Sequence, residues 1–274
     1  MTVCVAVQVR DCIVFAVDSA VTVTYGNGTV ANVWEHGVKL FRLHDDLPIM
    51  AMFTGMGSFG PATVSSVARY FNKEISRDPS EGGTDPSKYT MKEITERARD
   101  FFKDGYEHLV SPSSPTHQFE LWLGGYSANS AIGEVWRTRM TNGKWLKTVE
   151  KLSMDQNVGS LNWGGIVEPI SRLVLGIDPN ARRFLQQKKV PSTTIQELEE
   201  SCEIKLVDSA MPTQDAINFA EFLVDVTKGF STFLPGATSV GGATDVATVA
   251  RHDGFKWIKR KLYYPDHLNP ENGQ

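Results

Sequence analysis

Hydrophobic positions open the chain in a two-residue rhythm and turn to a helical one after Pro61. Val3, Val5, Val7 and Val9 alternate with Cys4, Ala6 and Gln8; Arg10-Asp11 interrupts, and a second apolar run from Ile13 to Val17 ends at Asp18. Short bounded runs of β-branched residues predict a buried β-hairpin. In Ser19 to Glu35, Val21 and Val23 alternate with threonines before Gly26-Asn27-Gly28 turns the chain. Val38 to Leu43, with Lys39 near its start, and Ile49 to Phe53 predict two more strands, the second emptying into the glycine loop Thr54-Gly55-Met56-Gly57-Ser58. Beyond it, Val64, Val67, Phe71 and Ile75 recur at helical spacing. Arg77 to Lys88 is polar and turn-rich. Thr90, with Glu93 three residues on, then forms a capping box that opens a second helix with Ile94, Ala98, Phe101, Gly105 and Leu109 on one face.

Ser111 to Pro115 breaks the chain, and strands return at Phe119 to Gly125, at Gly133 to Met140 and from Trp145, with Asn142-Gly143 as a hairpin turn. Val158 to Gly165 reads as a further glycine-rich turn. Pro169 suits the first turn of a helix running to Gly176, and Thr194 with Glu197 reads as another cap. Ala216, Ala220, Leu223, Val226 and Phe230 mark a helix within Thr213 to Phe233, and Asp245 to Ala250 with Phe255 to Lys261 flank His252-Asp253-Gly254 as a closing hairpin. A polar tail follows from Pro265 to Gln274. This order shows neither strict βαβ alternation nor a repeat of about 20 to 50 residues. It predicts an α+β fold in one domain over residues 1–274, with two mixed or antiparallel sheets face to face and helices outside them.

Composition narrows the function more than the fold. At 274 residues, 41% hydrophobic and 22% charged, the chain has enough apolar material for one large core. Its formal charge of -4, with Lys and Arg scattered, offers no electrostatic argument for nucleic acid or an anionic membrane, and neither is an expected partner. Cys4, Cys12 and Cys202 are too few for a disulfide framework, and the six histidines show no H-x-x-x-H pairing, so no metal or cofactor is expected. Reduced cysteines suit the cytoplasm. No signal-peptide pattern opens the chain and no window approaches about eighteen apolar residues, so neither export nor a membrane span is expected. The six tryptophans are expected in the core or an interface.

The candidate chemistry lies in Met1 to Asp18, read with Lys39 and the Gly55 loop. If Met1 is removed, Thr2 carries both a hydroxyl and a free α-amine. A threonine hydroxyl needs a base to take its proton during attack on a carbonyl, and the amine, with an unperturbed pKa of about 7.7–8.0, can serve. A nearby ammonium such as Lys39 lowers that value by like-charge repulsion, and Asp18, at the end of the strand pair that Thr2 begins, can be the counter-ion. Each residue alone has a bland reading: a Met-Thr start is common, Asp18 suits a strand end, Lys39 a solvated surface and Gly55-Met56-Gly57 a simple turn.

Together these residues resemble the catalytic β subunits of proteasomes and their bacterial relatives, the HslV peptidase and the ancestral β-subunit peptidases, all N-terminal-nucleophile hydrolases. The elements that carry the resemblance are Thr2, Arg10-Asp11-Cys12, Ile13 to Ala16, Val17-Asp18-Ser19, Val38-Lys39-Leu40 and Phe53-Thr54-Gly55, with the Thr2 to Asp18 spacing as its most specific signal. The resemblance implies a four-layer αββα sandwich and subunits assembled in rings or spirals as a homo-oligomer, with an ATP-dependent unfoldase left open as a partner. It further implies a threonine endopeptidase acting on peptides or unfolded protein. Thr2 would be the nucleophile, Asp18 and Lys39 the charge pair, and the Gly55 backbone N–H an oxyanion donor. Val21 and Phe53 would line the pocket for the residue before the scissile bond, and the backbone of Thr22 and Gly57 would pair with an extended peptide, with preference for small or medium apolar residues.

The chain also departs from that pattern. Five extra residues separate Asp18 from Lys39, placing an insertion in Tyr25 to Gly37. Where proteasome subunits carry an Asp-x-x-Ser-Gly-Gly element, this chain has Ala237 and Val240; Ser160 or Ser239 are the available substitutes for the second serine. These gaps point to the bacterial branch. Two other readings stand beside the peptidase, a noncatalytic ring-forming scaffold and a small-molecule amidase.

Overall fold

The computed structural model describes residues 2–24, 30–153, 159–236 and 240–261. The turn expected at Gly26 to Gly28, Ala237 to Ser239 and the polar tail lie outside them.

The opening hairpin forms as its pattern predicts. β1 (Val3–Gln8) and β2 (Ile13–Val17) pair antiparallel, Cys4 opposite Val17 and Gln8 opposite Ile13, and every residue of both is buried. Burial on both faces explains why these strands read as nearly continuous apolar runs. β3 (Val21–Thr24) pairs with β4 (Val30–Trp34) as a separate ribbon. β5 (Leu40–Arg42) pairs with β6 (Ile49–Gly55), and a two-residue pair, β7 (Ser58–Phe59) with β8 (Ala62–Thr63), leads into α1 (Val64–Ile75). Thr63 caps α1 by accepting from the Ser66 amide, and Val64, Val67, Phe71 and Ile75 form its buried face.

The capping box at α2 (Met91–Leu109) is present: Thr90 Oγ1 accepts from the Glu93 amide and Glu93 accepts from the Thr90 amide. Its buried face drifts from the expected one. Ile94 and Ala98 are followed by Phe102 and Tyr106, while Leu109 is exposed. β9 (Phe119–Tyr126), β10 (Gly133–Thr141) and β11 (Lys144–Trp145) form successive hairpins, with Asn142 and Gly143 both at positive φ in the predicted turn; β12 (Glu150–Lys151) pairs with β10.

Ser160 to Gly165 is strand β13 rather than a turn; it pairs antiparallel with β1, Val3 opposite Gly165 and Gln8 opposite Ser160. Its glycines serve close packing: a Cβ on Gly164 would lie 2.9 Å from Trp122 and one on Gly165 would lie 1.8 Å from the Thr2 carbonyl oxygen. α3 (Glu168–Leu175) ends at Gly176 as expected, and α4 (Pro179–Gln187) is a helix that the apolar pattern does not announce, since none of its residues is buried. α5 (Ser192–Cys202) starts before Thr194, which therefore caps nothing. α6 (Thr213–Thr232) buries Ala216, Ala220 and Leu223 but leaves Phe230 exposed, with Arg172 over its ring. β14 (Asp245–Ala250) and β15 (Gly254–Lys259) close the chain as a hairpin.

The strands make two larger antiparallel sheets, ordered β13-β1-β2-β14-β15 and β11-β10-β9-β6-β5. Three cores lie against them. One holds Phe15, Val17, Met50, Met52 and Trp122 from both sheets; one packs β6 and β9 on α1 and α2; one packs β1 and β2 on α3 and α6. β1 and β2 thus sit mid-sheet with apolar neighbours on both faces, which makes their ends rigid points from which a site can be built.

Candidate active site

Thr2 enters β1, and Asp18 leaves β2. Continuing the hairpin register by one pair sets Val3 opposite Asp18, and their backbones bond: the Asp18 amide donates to the Val3 carbonyl at 3.3 Å. The Asp18 side chain turns back on the same residue, its Oδ1 accepting from the Val3 amide at 3.0 Å. Lys39, just before β5, donates from Nζ to that same Oδ1 at 2.8 Å. Oδ2 accepts from the Ala20 amide at 3.1 Å and the Gly241 amide at 3.2 Å. Asp18 is 0% exposed and Lys39 2%, so the pair is fully removed from water. Four donors on one carboxylate are what such burial requires. Burial pushes the Lys39 ammonium below its ordinary value; Asp18 holds it up by charge and hydrogen bond, and Lys261 pushes it down further. Beneath them, burial drives the Cys4 thiol well above its usual range, so it stays protonated.

Thr2 is 3% exposed in the full chain. Its carbonyl accepts from the Ile166 amide at 2.8 Å, and the positive φ of Gly165 permits that approach. Gly55 ends β6. Amides of odd-numbered β6 residues point toward β5, as the Phe53 amide does to the Lys39 carbonyl at 3.1 Å, whereas the Met56 amide bonds Gln118 on the opposite side. The Gly55 amide therefore points past the start of β5, from an exposed residue two positions beyond Phe53. Its φ of +93° and the Gln118 carbonyl 2.2 Å from a hypothetical Cβ require glycine there.

Hydrogen bonds thus join Val3, next to Thr2, to Asp18 and Asp18 to Lys39, while Gly55 lies two residues beyond Phe53, whose amide bonds the Lys39 carbonyl. Val21 and Gly57 also face one another: a Cβ on Gly57 would sit 3.6 Å from Val21 Cγ1, with Thr22 next along β3. Phe53 stands apart. Its ring stacks with Phe41 and Phe119 at centroid distances of 6.1 and 5.9 Å in the core under α1 and α2, and the residue is 3% exposed, so the ring belongs to that core. Ser160 is removed from the site, because it pairs with Gln8 at the far end of β1 and its hydroxyl donates to Gln8 Oε1 at 3.4 Å. Ser239 lies outside the described residues. Sequence reasoning missed Ile166 and Gly241, which act through backbone amides that no side chain advertises; their only signals are the adjacent Gly164-Gly165 and Gly241-Gly242 pairs.

A surface depression of about 470 Å³ runs along α2 between Gly83 and Asp100 and contains none of these residues. Among the described residues no group of three or more His, Cys, Asp and Glu side chains could hold a metal, and no helix is long and apolar enough to cross a membrane.

No family model matches the sequence, and no curated protein matches it. Among solved structures the chain is similar to Anbu (ancestral beta-subunit) from Yersinia bercovieri, with a TM-score of 0.54 and 13% identity over 96% of this chain and 89% of that one. It is also similar to an Anbu (Gly-1) mutant from Hyphomicrobium sp. strain MC1, with a TM-score of 0.53 and 14% identity over 95% of this chain and 86% of that one. At these identities the shared feature is the fold, a mixed α/β arrangement of antiparallel sheets and helices of proteasome-like type.

Proposed function

We propose that the chain is a threonine peptidase that acts once Met1 is removed, on a single-domain four-layer αββα sandwich assembled as a ring or spiral. The observation that carries this reading is the shared oxygen of Asp18. Lys39 Nζ and the amide of Val3 both bond Oδ1, so the ammonium and the residue joined to Thr2 lie within about 6 Å of each other. A buried cation so close to a chain terminus disfavours protonation of the α-amine and readies it as a base.

In the proposed reaction the amine takes the proton from Thr2 Oγ1 as the oxygen attacks the carbonyl of an extended peptide. Charge moves to the carbonyl oxygen, where the Gly55 amide donates to it; loss of one such donor in a comparable site costs about 10²–10³ in rate. The ammonium then protonates the leaving amine, leaving an ester on Thr2, and a water deprotonated by the same α-amine hydrolyses it. Val21 and Gly57 border the peptide. With Phe53 packed into the core beneath, any pocket it bounds is shallow and suits small or medium apolar residues.

Intact mass comes first: a working protein that retains Met1 sinks the proposal. In a chain that begins at Thr2, a β-lactone is expected to label Thr2, and Thr2→Ala is expected to abolish hydrolysis of fluorogenic peptides. Unchanged turnover in Thr2→Ala excludes the mechanism.

A further inference from the structure

A second buried ion pair adjoins the first, and the mechanism above does not use it. Asp245 opens β14 opposite Val17, the residue before Asp18. Lys261, two residues beyond β15, wraps onto it: its amide donates to Asp245 Oδ1 at 3.1 Å and its ammonium pairs with Oδ2. The same ammonium donates to Ser19 Oγ at 2.6 Å, and Ser19 in turn donates to the Ala243 carbonyl at 2.6 Å. The amides of Ser19 and Ala20 both bond the Gly241 carbonyl at 3.0 Å, while the Gly241 amide bonds Asp18. Every residue of the 18–20 turn is therefore tied to the 241–243 segment. Lys261 clamps the join.

We propose that Lys261 is a positioning residue of the Thr2 site: held by Asp245 against Ser19, it fixes the Asp18-Ser19-Ala20 turn on which Lys39 docks and sets a second cation beside Lys39. The inference rests on the threonine-nucleophile reading. It gives this chain a device of its own where the Asp-x-x-Ser-Gly-Gly element is lacking. The charged groups acting on Lys39 are Asp18 and Lys261, since burial keeps the Cys4 thiol protonated and neutral. Asp245 compensates Lys261, and Thr244 beside it bonds Asp225 and Lys228 on α6. Because one member of the outer pair is a cation and the other an anion, deleting each has opposite electrostatic consequences. A purely structural clamp has no such sign.

The test uses the full chain beginning at Thr2, with the Thr2 α-amine titrated by 13C-methyl NMR and its acylation by a β-lactone followed against pH. Lys261→Met removes a positive charge and is expected to raise the amine midpoint by about 0.5 to 1 pH unit; Asp245→Asn is expected to lower it by a similar amount. Lys261→Arg keeps the charge and the midpoint. Shifts of the same sign in Lys261→Met and Asp245→Asn, or none in either, overturn the proposal. If Lys261→Met does not fold, Asp245→Asn against Lys261→Arg still decides the sign. A wild-type chain that is never acylated defeats the peptidase reading instead, while the NMR titration still decides the role of Lys261.

Discussion

Asp18 joins the folding of the hairpin to the chemistry proposed for it, since one oxygen holds both the Val3 amide and Lys39. Asp18→Asn leaves Lys39 buried without its counter-ion and is expected to cost about 3–5 kcal/mol, seen as a lower urea midpoint at constant slope. Lys39→Met removes the cation while Asp18 keeps its three amide donors, so it is expected to cost less than Asp18→Asn, although Thr2 acylation is lost. Equal losses would contradict the view that the amides carry much of the carboxylate's satisfaction. Gly165→Ala forces a Cβ to 1.8 Å from the Thr2 carbonyl and is expected to abolish β-lactone labelling; full labelling would mean that Thr2 does not depend on that close approach. At this scale the sequence is legible where spacing and side-chain chemistry coincide, as at Thr2, Asp18 and Lys39. It is silent where a backbone amide does the work, as at Gly241, or where two charges meet from distant segments, as at Lys261 and Ser19.

Among elements, α1, α2 and α6 were readable because each places apolar side chains on one face against a sheet, and α2 adds its capping box. Thr90→Ala is expected to cost about 1 kcal/mol by thermal or urea unfolding, the usual cost of losing a cap. Phe102 meets Phe59, Phe71, Phe101 and Phe119 in the core beneath α1 and α2, and Phe102→Ala is expected to cost about 3–5 kcal/mol. A loss below 1 kcal/mol, measured in the same way, would mean that the aromatic layer closes over the cavity. β13 reads as a turn in sequence because glycine usually weakens a strand, whereas here Gly164 and Gly165 let it lie close to Trp122 and Thr2. α4 escaped notice for the opposite reason: with no buried residue it has no apolar stripe to read.

For the whole molecule, the buried Lys39 predicts how stability follows pH. Its folded affinity for a proton lies below that of an ordinary lysine, 10.5, so the unfolded chain binds more protons between the two values. Stability from this group therefore rises with pH across that window; the penalty is complete below the folded value and gone above 10.5. The wild type is expected to gain on Lys39→Met in denaturation midpoint as the buffer is moved from neutral toward alkaline, and a gap that stays constant would contradict the assignment. The sheet order has a consequence in time as well. β1 takes β2 as a neighbour at once, but its other flank waits for Ser160–Gly165, and β2 waits for β14. At about 5–20 residues per second, the N-terminus of a nascent chain spends roughly ten to thirty seconds at the edge of an unfinished sheet. In that interval the edge that Thr2 begins is unpaired on one side; once β13 has joined, the Ile166 amide bonds the Thr2 carbonyl and Thr2 is 3% exposed. On the proposed mechanism, Met1 is then expected to be removed faster from a nascent or unfolded chain than from the folded one.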